Sequence, residues 1–153
     1  MYNEGYNMIV YIDMDDTLCE FSQAYTAAKR ANPEIEYPQS IPGFFENLAP
    51  KPGAVESVVQ LINTPKYRPY ILTAPSTRNP LSYTEKRLWI EQYFGYDFVK
   101  RLVISPDKSL LKGDYLIDDY DRGKGQDQFE GELILFGSDA YPDWARVMHK
   151  LSI

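Results

Sequence analysis

Apolar positions along this chain come in short blocks separated by polar turns. Met8 to Ile12 is an apolar, β-branched run that stops at Asp13, the pattern of a buried strand. Tyr67 to Thr73 reads the same way and stops at Ala74-Pro75. Leu102 to Ser105, Tyr115 to Ile117 and Leu133 to Phe136 predict three more short strands. Between these runs the period becomes helical. Leu18 to Ala31 carries Phe21, Tyr25 and Ala28 on one face and ends near Asn32-Pro33. Val55, Val58, Val59 and Ile62 fall at i, i+3, i+4 and i+7, which predicts an amphipathic helix over 54–63. Leu81, Glu85, Leu88, Trp89 and Tyr93 predict another that Gly95 closes, and Trp144, Val147, Met148 and Leu151 predict a last one.

Strands alternating with helices imply an α/β fold, a three-layer Rossmann-like parallel sheet with helices on both faces. One connection breaks the pattern. Residues 33–53 hold five prolines, two glycines and the pair Phe44-Phe45, and are too irregular and long for an ordinary strand-to-helix loop. The reading is one domain over 1–153 with a small insertion over 18–52. The glycine-containing segment 120–131 reads as a mobile loop, and Gly123 and Gly125 alone are a weak phosphate-loop signal.

Composition narrows the chemistry. With 153 residues, 44% of them hydrophobic, the chain can bury one core. Lys+Arg number 16 against Asp+Glu 22, a net charge of -6, which argues against a polyanionic nucleic-acid partner. One cysteine, Cys19, and one histidine, His149, leave no internal disulfide and no zinc site of several Cys and His ligands. A nucleophile–histidine–acid triad could use only His149. Met1 to Asn7 is polar without a basic cluster, and no stretch approaches the roughly 20 apolar residues that span a bilayer. The expectation is a cytoplasmic protein with an inert thiol, whose chemistry rests on carboxylates, hydroxyls and lysines.

In parallel α/β sheets ligands bind beyond the carboxyl ends of the strands. Here the first strand ends in Asp13-Met14-Asp15-Asp16-Thr17 and the second in Thr73. The third runs into Asp107-Lys108 and the fourth ends in Asp118-Asp119. Five acids, Asp13, Asp15, Asp16, Asp118 and Asp119, would share one edge and repel one another, so a hard cation is their natural companion. Mg²⁺ suits such a site because it takes one or two carboxylates and keeps waters and phosphate oxygens. A magnesium ion, a free carboxylate, a lysine and a threonine together fit phosphoryl transfer through an aspartyl-phosphate.

These segments resemble the haloacid dehalogenase superfamily of phosphatases, and within it the 5'(3')-deoxyribonucleotidases. The finer likeness is carried by Pro42-Gly43-Phe44-Phe45-Glu46-Asn47-Leu48, Pro52-Gly53-Ala54-Val55 and Thr73-Ala74-Pro75. It continues through Glu85-Lys86-Arg87-Leu88-Trp89-Ile90-Glu91, Tyr93-Phe94-Gly95 and Gly113-Asp114-Tyr115-Leu116-Ile117-Asp118-Asp119. The resemblance implies Asp13 as nucleophile, Asp15 as general acid and base, and Thr73 and Lys108 as holders of the phosphoryl oxygens. It implies Mg²⁺ on the Asp13 side chain, the Asp15 carbonyl and the Asp118-Asp119 pair, with Asp119 weighted for direct coordination. Lys86, inside a helix, reads as a surface residue, so Lys108 takes the phosphate role. The insertion becomes a cap over the site. Phe21, Phe44 and Phe45 are its candidate substrate contacts, with core packing an equal reading for each, and Thr73, Ala74 and Lys108 are the candidate contacts from the strand ends.

The resemblance is incomplete at Asp16, where many members of that family have Gly, and at Pro106 and Thr77, where its animal nucleotidases carry basic residues. The implied partner is a small phosphomonoester, a deoxynucleoside monophosphate, with a homodimer left open. Two other functions compete: a phosphatase for another ester such as a sugar phosphate, and a catalytically silent metal- or nucleotide-binding protein. A receiver domain is excluded by order, since its acidic pair comes first and its phosphorylated Asp lies mid-chain.

Overall fold

The computed structural model describes residues 5–153, so the polar opening segment Met1 to Asn7 lies partly outside the described residues. Five strands form one all-parallel sheet: β1 (Met8–Ile12), β2 (Tyr67–Thr73), β3 (Leu102–Ile104), β4 (Tyr115–Asp118) and β5 (Glu132–Leu135). Their order is β3-β2-β1-β4-β5. The chain runs outward from β1 through β2 to β3, then returns to the other side of β1 for β4 and β5. The crevice between β1 and β4 is therefore the switch point at which such sheets bind ligands.

Among the described residues five helices accompany the sheet: α1 (Phe21–Ala31), α2 (Ala54–Ile62), α3 (Ser82–Phe94), α4 (Tyr96–Val99) and α5 (Trp144–Lys150). Val10, Ile12, Ile71, Ile117 and Ile134 point to one face of the sheet. There they pack with Val58 and Leu61 of α2, Trp89 and Ile90 of α3, and Val147 and Met148 of α5. The opposite face carries a smaller cluster of Tyr11, Leu72, Leu116 and Phe129. Two 3-10 turns, Lys108–Leu110 and Gln126–Gln128, lie in the connections on either side of β4.

Several helix registers differ from the periodicity. The face that α2 buries is Ala54, Ser57, Val58 and Leu61, whereas Val59 is 41% exposed. A stripe of valines reads as the inner face, but the helix turns Ala54 and Ser57 inward in place of Val55 and Val59. Helix α1 begins at Phe21 rather than Leu18, because residues 14–19 fold into a tight loop. In that loop the Met14 carbonyl accepts from the amides of Thr17, Leu18 and Cys19.

Two tryptophans anchor the segment that follows β1. Trp144 Nε1 donates to the Thr17 carbonyl at 2.9 Å, and Trp89 Nε1 donates to the Leu48 carbonyl at 2.8 Å. Both indoles are buried, so each bond satisfies a donor that would otherwise be costly to desolvate. The irregular segment is thereby tied to the core at both ends.

Candidate active site

Asp13 directly follows β1, and its amide donates to the Ile117 carbonyl of β4 at 2.9 Å, which carries the β1–β4 pairing into the loop. Its side chain is held on both oxygens. Oδ1 accepts from Lys108 Nζ at 2.8 Å and Oδ2 accepts from Thr17 Oγ1 at 3.3 Å. Lys108 also donates to Asp118 Oδ2 at 2.5 Å, so one buried ammonium bridges the ends of β1 and β4. Asp118 is further held by the Tyr120 amide at 2.9 Å and by Gln126 Nε2 at 3.4 Å.

A carboxylate oxygen from each of Asp13, Asp118 and Asp119 lies within 4.8 Å of the others. Burial and then the charge of Asp13 raise the Asp118 pKa, and the lysine beside it does not reverse the shift. Asp119 is pushed up to about 8, first by burial and then by Asp13. For Lys108, burial works to lower the pKa, but Asp13 and Asp118 outweigh it and hold the ammonium charged. Lys108 thus pairs with two of three crowded acids and leaves Asp119 without it. Such a donor set fits a divalent ion, and the Asp15 carbonyl is spare: among the described residues it accepts none of the loop's main-chain hydrogen bonds.

Asp15 and Thr73 meet through a residue that the sequence reading left on the surface. Lys86 of α3 is fully buried. It donates to Asp15 Oδ2 at 2.9 Å and to Thr73 Oγ1 at 2.7 Å, and its ammonium sits 5.0 Å from the Phe45 ring. Helix α3 buries Ser82, Glu85, Lys86, Trp89 and Ile90 rather than Leu81 and Leu88, and Leu81 is 44% exposed. The signal was present in Ser82, Lys86, Trp89 and Ile90, a stripe hidden by its polar members. Lys86→Met should lower kcat on the order of tenfold to a hundredfold by freeing Asp15 and Thr73. Steady-state kinetics beside a thermal melt separates this from unfolding, and unchanged kcat would refute the role.

Asp16 leaves the acidic edge. Its carboxylate accepts from the Ser22 amide at 2.9 Å and from the Ser22 hydroxyl, at the start of α1. Its φ of 60° is left-handed, a conformation that a short polar Asp tolerates better than most residues. Cys19 is buried, and burial raises its thiol pKa well above the usual value. His149 is exposed on α5.

The three phenylalanines form one cluster: Phe21 to Phe44 at 5.5 Å, Phe44 to Phe45 at 5.2 Å, and Phe21 to Phe45 at 6.0 Å between ring centres. Phe21 lines a cleft of about 380 Å³ with Asp15, Asp16 and Tyr120. Phe45 lies in the core and Phe44 packs half-buried beside it. Ala74 is buried and borders both the small cavity over Asp13 and a second cleft of about 330 Å³. A larger cleft, about 740 Å³, lies elsewhere, against Asn7, Thr64, Arg68 and Arg101 near the amino ends of the strands, and among the described residues no carboxylate lines it.

Solved hydrolase structures share this fold, one of them of the haloacid dehalogenase class. A provisionally assigned HAD hydrolase from Bacillus subtilis, crystallised with magnesium, superposes with a TM-score of 0.67 at 14% identity, covering 97% of this chain and 100% of that one. A hydrolase from Streptococcus pneumoniae reaches a TM-score of 0.60 at 12% identity, over 96% and 99% of the two chains.

Sequence comparison is more specific. The family described as "5' nucleotidase, deoxy (Pyrimidine), cytosolic type C protein" matches residues 31–146, and the chain belongs to it. A provisionally named 5'(3')-deoxyribonucleotidase of Vibrio phage KVP40 is 38% identical over 147 residues, covering 94% of this chain and 84% of the phage protein. The human cytosolic-type 5'(3')-deoxyribonucleotidase is 40% identical over 96 residues, covering 62% of this chain and 48% of the human one. Among the described residues no helix is long and apolar enough to cross a membrane.

Proposed function

We propose that this chain is a magnesium-dependent phosphatase of deoxyribonucleoside monophosphates that works through an aspartyl-phosphate. The observation that carries the reading is Asp13 at the switch point, with Lys108 on one oxygen and Thr17 on the other. A carboxylate held on both sides keeps one orientation and is ready for in-line attack. In the first step an Asp13 oxygen bonds to phosphorus while the bond from phosphorus to the nucleoside oxygen breaks. Asp15 gives its proton to that departing oxygen. In the second step water attacks the same phosphorus, Asp15 takes the water proton, and the Asp13–phosphorus bond breaks to release inorganic phosphate.

Thr73 and Lys108 would donate to the phosphoryl oxygens in both steps, where charge builds. Lys86 keeps Asp15 and Thr73 in register. Magnesium, held by Asp13, the Asp15 carbonyl and the acidic pair, would offset the negative charge of acids and phosphate. Asp119 takes the direct place in that pair and Asp118 the supporting one, since Asp118 is already engaged by Lys108, Tyr120 and Gln126. Residues 18–52 act as the cap, with Phe21 the aromatic placed to meet the leaving nucleoside and Phe44 and Phe45 supporting it.

Magnesium binding should depend on pH with a fixed sign. Asp119 has a folded pKa of about 8 against an ordinary 3.8. Between these values the metal-free fold holds a proton that the unfolded chain has lost, so this group costs stability increasingly as pH rises toward 8. The metal needs the ionised form and must expel that proton. Affinity should therefore rise about tenfold per pH unit until about pH 8 and then level off. Calorimetry across this range checks it, and a flat affinity would refute it.

The function itself is tested by phosphate release from a panel of deoxyribonucleotides, ribonucleotides and sugar phosphates, with and without Mg²⁺. Deoxyribonucleoside monophosphates should show the highest kcat/KM. Equal rates across unrelated monoesters would remove the nucleotidase reading and leave a general phosphatase.

A further inference from the structure

Two of the cations at this site are already spent. Lys108 lies between Asp13 and Asp118, and Lys86 lies on Asp15 and Thr73. At the rim, Arg122 pairs with Asp121 at 2.9 Å and Arg78 stacks on Tyr37 at 4.0 Å. Lys124 differs from all four. Among the described residues neither a carboxylate nor an aromatic ring engages its ammonium, and it is exposed.

Lys124 also stands where three cavities meet. It lines the small cavity over Asp13, Asp15, Lys108, Asp118 and Asp119. It lines the cleft that contains Phe21 and the cleft that contains Ala74 and Arg78. A phosphomonoester with its phosphorus at Asp13 and its organic group in either cleft must pass beside this residue.

The loop that carries Lys124 is built into the site. Its carbonyl accepts from the Lys108 amide at 2.7 Å, and its amide donates to Gln126 Oε1 at 2.8 Å. Gln126 then reaches Asp118. Gly125, at φ 86°, approaches so closely that an added Cβ would fall 2.3 Å from Asp107 Oδ1 and 2.7 Å from the Ser109 amide nitrogen. Only glycine permits that approach. The segment read from the sequence as a mobile loop is a clamp that ties Lys124 to the backbone of Lys108.

We propose that Lys124 is a further substrate-contacting residue, an ammonium that binds the phosphoryl group of the incoming ester. This rests on the phosphatase reading and deepens it. Among the described residues no acid neutralises its charge, which leaves it to offset that of a dianionic phosphate. Because it is exposed, its effect falls on capture and KM more than on kcat, and salt weakens it.

The test compares Lys124→Met and Lys124→Arg with the wild type in the presence of Mg²⁺. For Lys124→Met, the KM for dUMP and the calorimetric Kd for inorganic phosphate should both rise on the order of tenfold. The kcat should stay within about threefold and the salt dependence of KM should flatten. Lys124→Arg should restore most of the binding, and deoxyuridine, which has no phosphate, should inhibit all three proteins alike. A phosphate Kd unchanged in Lys124→Met would overturn the proposal. Phosphate calorimetry decides this even if wild type hydrolyses no nucleotide, an outcome that would instead overturn the nucleotidase reading.

Discussion

Asp13→Asn should reduce turnover on the order of 10⁴-fold or more while the fold stands. Asparagine keeps the shape and can still meet Thr17 and Lys108, but its amide is no nucleophile toward phosphorus. The stability effect separates this from damage. The Asp13 charge contributes to raising both Asp118 and Asp119, so removing it relieves the acidic cluster. The metal-free variant should melt at or above the wild-type temperature, while its magnesium affinity falls. Loss of activity with a lowered melting temperature would point to misfolding, and retained turnover would remove Asp13 from the chemistry.

Lys108→Met should fail differently. The ammonium is buried and joins Asp13 Oδ1 to Asp118 Oδ2. Truncating one partner of such a pair leaves buried charge uncompensated and costs about 3–5 kcal/mol. Loss of a donor to the phosphoryl oxygens should lower kcat a further 10²- to 10³-fold or so, as with removal of an oxyanion donor. Added magnesium should recover part of the stability, because it neutralises the same carboxylates, but not the kcat. Denaturant melts with and without the metal, read beside kcat, test both parts. A Lys108→Met enzyme with full activity would shift the phosphate role to Lys86.

The strand ends were legible because each apolar run stops at a polar residue and because parallel sheets place those ends together. Asp13, Thr73, Lys108 and Asp118 follow from that rule with no knowledge of side-chain contacts. Lys86 did not, because a charged residue on a helix is normally assigned to the solvated face. Here Asp15 and Thr73 satisfy the ammonium, so burial is compensated and the usual inference fails. Thr17 and Gln126 were missed because each works through side-chain bonds that no pattern encodes, Thr17 to Asp119 far along the chain and Gln126 to Asp118 across a turn. The 120–131 loop carries glycines that suggest freedom, yet Gly125 is required for close packing. Pattern distinguishes apolar from polar, but not a glycine used for motion from one used for contact.

The covalent intermediate gives the most direct test of the mechanism. Asp15→Asn should still accept the phosphoryl group from p-nitrophenyl phosphate, whose leaving group needs no acid, but should hydrolyse the aspartyl-phosphate slowly. With Mg²⁺ present, rapid mixing should give a burst of nitrophenolate near one equivalent per chain, followed by slow turnover. Acid quenching and peptide mapping should then find the phosphoryl label on the peptide carrying Asp13, and none in the Asp13→Asn, Asp15→Asn double variant. No burst and no label on that peptide, from a variant that still turns the ester over, would contradict the account.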